Sequence, residues 1–126
     1  MAELFNILVS AVDARQNIVM TDVYQEVANV TLVGAELGDY EHMMSITSQY
    51  DQTTKSEFFR FSLDGGSTWE ESQTEPKDKT DKRYISYPFV RTQVSGDLQL
   101  IIQARKEDVT GVMTVLFANA WIKRIG

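Results

Sequence analysis

A chain of 126 residues, 43% apolar and 24% charged, has room for one hydrophobic core, because a polypeptide of this size buries about two-thirds of its surface on folding. Zero cysteines exclude a disulfide framework, thiol catalysis and thiolate metal sites. Twelve basic against eighteen acidic residues give a net charge of −6 and a pI near 4.7, which repels phosphate backbones and anionic lipid, so neither nucleic acid nor membrane is an expected partner.

The chain opens with an apolar stretch from Leu4 to Val12 that lacks the marks of an export signal. No basic residue precedes Arg15, Glu3 stands where positive charge belongs, and Asn6 and Ser10 interrupt the run. Leu4, Ile7, Leu8, Ala11 and Val12 fit a helical stripe, yet the β-branched content and the polar break Asp13-Ala14-Arg15-Gln16-Asn17 before Ile18-Val19-Met20 also suit two strands joined by a loop. Strands are the preferred reading, and segment 1–20 is a candidate for partner contact. No apolar run approaches the roughly 18 to 20 residues that span a bilayer. The chain therefore reads as mature, soluble and made in a cytoplasm.

Period-two alternation dominates from about residue 27. Met44, Ile46, Ser48 and Tyr50 line one face of a strand, and Phe59, Phe61 and Leu63 alternate with Phe58, Arg60 and Ser62. Ile85, Tyr87 and Phe89 alternate with Tyr84, Ser86 and Pro88, where the missing backbone donor of Pro88 predicts an edge or a bend. Leu98, Leu100, Ile102 and Ala104 mark another half-buried strand. Turn signals separate these runs at Gly34, Gly38-Asp39, Asp64-Gly65-Gly66, Ser95-Gly96-Asp97 and 108–111. Short strands joined by Gly and Asp turns predict an all-β antiparallel sandwich or a small barrel in a single domain spanning 1–126.

Two segments stand apart. Residues 70–83 hold five acids, four bases and a proline with almost no apolar side chain, which predicts an exposed loop suited to contacting a neighbour. The last strand, 112–122, is apolar on both sides: Val112, Leu116, Ala118, Ala120 and Ile122 on one, Met113, Val115, Phe117 and Trp121 on the other. An antiparallel sandwich strand ordinarily shows one face to water. The second face must be covered by another part of this chain or by another chain. Met113, Val115, Phe117 and Trp121 are the interface residues under the second alternative, with Trp121 at the centre.

Side chains that would carry chemistry do not converge in the sequence. His42 is the single histidine and has no distinctive serine context for a relay. Asp39, Glu41 and His42 are close in sequence, but neighbours on a strand point to opposite faces. Lys77, Lys79 and Lys82 oppose a dication among Glu75, Asp78 and Asp81, and the adjacent Glu70-Glu71 pair would face opposite ways in a strand. No cofactor, metal site or catalytic residue is assigned, and the chain is expected not to be an enzyme.

Ser62-Leu63-Asp64-Gly65-Gly66-Ser67-Thr68-Trp69 resembles the Asp-box of sialidases and other β-propeller proteins at Ser62, Asp64, Gly66, Thr68 and Trp69. The resemblance covers eight residues in one copy. It implies a structural hairpin between strands 57–63 and 67–71, in which the aspartate accepts backbone N–H groups, glycine takes a positive φ and Trp69 packs over the turn. It does not imply sialidase activity.

In size, absence of cysteine, acidic charge and β-rich patterning, the whole chain resembles the decoration or cement proteins that clamp tailed-phage capsids. That resemblance implies a jelly-roll-like sandwich, self-associated as a dimer or trimer. It would bridge major capsid subunits on the outer surface of the virion after synthesis in the host cytoplasm. The 112–122 strand would make the self-contact, and the amino-terminal segment or the 70–83 loop would reach the shell. The alternatives are a phage tail or baseplate component and a carbohydrate-binding sandwich module, the latter offering Tyr40, Tyr50, Trp69, Tyr84 and Tyr87 as stacking faces.

Overall fold

The computed structural model describes residues 10–76 and 78–126. They form six antiparallel strands: β1 (Ser10–Val19), β2 (Gln25–Tyr50), β3 (Glu57–Ser62), β4 (Glu70–Thr74), β5 (Lys82–Lys106) and β6 (Met113–Arg124). The hydrogen-bonded order is β1-β6-β2-β5-β3-β4. The two long strands, β2 and β5, pair along their whole length, with register shifts between Leu32 and Tyr40. On one side of those shifts residues 40–50 of β2 pair with β6; on the other, residues 101–106 of β5 pair with β3. Dividing β2 and β5 at this corner gives two four-stranded layers. The first layer runs β1, β6, β2 (40–50), β5 (82–91), and the second runs β2 (25–32), β5 (98–106), β3, β4. The fold is an all-β antiparallel sandwich of jelly-roll topology.

Both layers feed one core, in which Met44, Ile46, Val115, Ala120 and Ile122 from the first meet Val30, Leu100, Ile102 and Phe59 from the second. Alternation explains the second layer directly. Leu98, Leu100, Ile102 and Ala104 are buried, as their spacing predicts. The side where β1 adjoins β2 is pinned by polar groups: Asp13 Oδ2 accepts the Asn29 N–H at 2.8 Å, and Arg15 Nη2 donates to Glu26 Oε2 at 2.9 Å.

Three expectations are corrected. The break at 13–17 is not a loop, because β1 runs through it and Asn17 absorbs the irregularity with φ of 54°. Gly34, Gly38 and Gly96 do not reverse the chain; they lie inside β2 and β5 at the corner, where Gly34 and Gly96 have positive φ. Their strands bend from one layer to the other there, and Asp97 Oδ1 caps the bend by accepting the Gly34 N–H at 2.9 Å. Residues 70–83 are not a single loop either. Residues 70–74 are the edge strand β4 paired to β3, and 82–83 begin β5. Edge pairing uses backbone groups, so a segment with polar side chains on both faces gives no hydrophobic period to read. The part of segment 1–20 before Ser10 lies outside the described residues.

Candidate functional site

The final strand decides which surfaces are free. Between Thr47 and Ser48 of β2 the register with β6 shifts, from Thr47 opposite Phe117 to Ser48 opposite Val115, leaving Leu116 as an extra residue. A one-residue bulge exchanges the two faces of everything beyond it. Met113 and Val115 before the bulge therefore point inward and are 0% exposed, and so do Ala118, Ala120 and Ile122 after it. This corrects the assignment of Met113 and Val115 to an outer surface: they are core residues. Phe117 and Trp121 lie on the outer face, Phe117 55% exposed and Trp121 half-buried.

Around them the four strands of the first layer align their outward residues in rows. Val12, Trp121, Met43 and Pro88 form one row. Ala14, Asn119, Ser45 and Ser86 form the next, and Gln16, Phe117, Thr47 and Tyr84 the third. None of these twelve side chains is charged. Val12 is 65% and Tyr84 75% exposed, so no described part of the chain covers the patch. Charge returns only in the flanking rows. Ser10, Lys123, Glu41 and Val90 lie on one flank, and Val19, Thr114, Gln49 and Lys82 on the other. The Lys123 ammonium sits 4.7 Å from the Trp121 ring centroid.

The outer face of the second layer is already occupied by its own side chains. The Arg60 guanidinium lies between the Tyr24 ring at 4.0 Å and the Trp69 ring at 4.1 Å, and Arg105 stacks on Phe58 at 4.1 Å. Arg60 Nε also donates to Gln103 Oε1 at 2.9 Å. These rings have spent their faces on arginine.

The 62–69 hairpin has the turn bonding its resemblance implies, although the strands it joins are β3 and β4 at Glu57–Ser62 and Glu70–Thr74 rather than 57–63 and 67–71. Asp64 Oδ1 accepts the Thr68 N–H at 2.9 Å, Ser62 Oγ accepts the Gly66 N–H at 2.8 Å, and Gly65 and Gly66 have φ of 74° and 97°. The Thr68 hydroxyl and N–H, with Ser62, hold the Asp64 carboxyl well below the usual carboxylate range. A Cβ on Gly66 would stand 3.4 Å from the Trp69 ring. The hairpin is a locally bonded structural unit.

His42 is fully buried, stacked on Phe89 at 5.1 Å between centroids, and neither ring nitrogen has a hydrogen-bond partner. Burial, with Arg91 nearby, pushes its pKa down to about 4, so at neutral pH it is an uncharged core ring. Glu57 is also buried. Its Oε2 accepts from Ser48 Oγ at 2.9 Å and Thr74 Oγ1 at 3.2 Å, and burial pushes its pKa up. A cleft of about 200 Å³ opens between the layers on the side of β4, lined by Phe61, Glu70, Ser72 and Tyr87 among others. No group of three or more His, Asp or Glu side chains among the described residues is placed to hold a metal. Of the five rings offered for sugar stacking, Tyr40 and Tyr50 are buried, Trp69 is taken by Arg60, and Tyr87 packs against Phe61 and Phe89. Only Tyr84 is freely exposed.

No protein-family model matches the sequence, and no curated protein does. Among solved structures, the PRD1 vertex protein P5 superposes with a TM-score of 0.59 at 12% identity, covering 95% of this chain and 98% of that one. The Eiger TNF from S. frugiperda superposes with a TM-score of 0.51 at 9% identity, covering 96% and 94%. A carbohydrate-binding module, TmCBM61 in complex with β-1,4-galactotriose, reaches 0.47 at 10% identity over 96% and 90%. At identities this low, the superpositions on the first two establish a shared fold alone.

Proposed function

We propose that this chain is a non-enzymatic structural protein of a phage virion, a capsid decoration or cement protein that self-associates and bridges major capsid subunits on the outside of the shell. The observation that carries this reading is the outer face of the first layer, whose three central rows are uncharged and covered by no described residue, centred on Trp121 and Phe117. Twelve adjoining side chains without a charge, on a chain of net charge −6, support a surface that is covered in use. The near full-length superposition on a protein named for a PRD1 vertex supports placing that use in a virion. The acidic balance suits the exterior of a shell better than a DNA-filled lumen.

Gold-labelled antibody against the chain, applied to purified particles from the producing cells, tests the assignment. Label distributed over the heads is expected. Label confined to tails would make the chain a tail component, and particles without label would overturn the virion reading.

A further inference from the structure

We infer that the outer face of the first layer is the interface of a two-fold dimer of this chain, with the symmetry axis running along the strands between β2 and β6. The inference rests on the self-association in the reading above and gives it a geometry.

A two-fold axis lying in the face and parallel to the strands lays β6 of one copy over β2 of the other, and β1 over the 82–91 part of β5. Every residue stays in its own row. Trp121 then covers Met43 of the partner subunit, and Val12 covers Pro88 of the partner subunit, each contact made twice because the interface is isologous. In the flanking row Lys123 stands over Glu41 of the partner subunit, again twice. Within the described chain neither Lys123 nor Glu41 belongs to an ion pair. On that flank the face is complementary to itself in charge, while on the other flank Lys82 lies over Val19 of the partner subunit at the rim, where its ammonium can reach water.

The other in-plane axis, across the strands, sets Lys123 opposite Thr114, Glu41 opposite Gln49 and Lys82 opposite Val90, and pairs no charges. The extent of the face also fits a second copy. Five rows on four strands present twenty side chains, which meets the roughly 20 to 30 residues a side of a stable interface. The opposite outer face, laminated by Arg60 and Arg105, offers no comparable surface.

Sedimentation velocity across a wide range of concentration, with circular dichroism to verify folding, tests the inference. Wild type is expected to be a dimer, and Trp121→Ala to weaken it at least about thirtyfold. Lys123→Glu alone sets Glu against Glu41 of the partner subunit, and Glu41→Lys alone sets Lys against Lys123 of the partner subunit. Each single variant is expected to weaken the dimer about tenfold. Mixing the two single variants is expected to restore dimers as heterodimers, because each variant then meets its opposite charge across the interface. Rescue by mixing cannot come from a contact within one chain. A monomeric wild type overturns both this inference and the self-association above. A trimer, or a dimer indifferent to Trp121→Ala and not rescued by mixing, overturns the geometry alone.

Discussion

At the scale of single residues, two buried titratable side chains pull stability in opposite directions with pH. His42 has a folded pKa of about 4 against 6.5 when exposed, so the unfolded chain binds the extra proton between those values. Stability is expected to fall as pH drops from 6.5 toward 4, by about 3 kcal/mol at most. His42→Phe should flatten that part of a urea-unfolding profile measured against pH. Glu57 has the reverse sign. Its raised pKa means that the folded state holds the proton longer, so its contribution is lost as pH rises past 4.5. Glu57→Gln should leave the low-pH stability unchanged and remove the decline on the rising side. In the 62–69 hairpin, Asp64→Ala is expected to lower Tm, and Asp64→Asn to lower it less because one acceptor oxygen survives to meet the Thr68 N–H.

At the scale of elements, the corner between the layers and the seam beside β1 carry the most specific demands. Gly96 has φ of 87° and open space where a Cβ would stand, so Gly96→Ala tests backbone strain free of any clash. A loss of about 1 to 2 kcal/mol is expected by denaturant unfolding. Asp13→Ala strands the Asn29 N–H in a half-buried seam and should cost roughly 1 to 3 kcal/mol. Burial opposes the charge on Asp13, but its bonds to Arg15 and Asn29 hold its pKa below the usual value, so this support is lost as pH falls below about 4. The bulge at Leu116 has a larger consequence than either. It allows β6 to bury Met113 and Val115 and then Ala118, Ala120 and Ile122, while Phe117 and Trp121 remain outside.

For the whole molecule, the two outer faces divide the labour. One is sealed by arginines lying on aromatic rings, and the other is uncharged across its three central rows and left open by the described residues. Trp121→Ala is therefore expected to leave the unfolding transition of the isolated chain nearly unmoved while altering its association. An equal loss of thermal stability at every concentration would mean that Trp121 serves the fold alone. In the acid range several carboxylates, among them Asp13, Asp51 and Asp78, titrate below their ordinary values in the folded chain. These aspartates and His42 withdraw stability as pH falls, each through its own range, and Glu57 works against them.

The amino-acid sequence by itself determined that this is an all-β sandwich, because the buried strands at 44–50, 57–62 and 98–104 repeat with period two and turn residues separate them. It determined the 62–69 hairpin as well, since every group in that ring is local in the chain. The apolar character of both sides of 112–122 was also written there, yet not the assignment of each side to core or surface. One extra residue at Leu116 swaps the faces, and its position is set by pairing with β2, some seventy residues away. The same holds for β4, whose polar side chains carry no period, and for the glycines at 34 and 96, which bend strands between layers where local chemistry predicted reversals. Local patterns fix which residues want burial; only long-range pairing fixes register, and register decides which way each side chain faces.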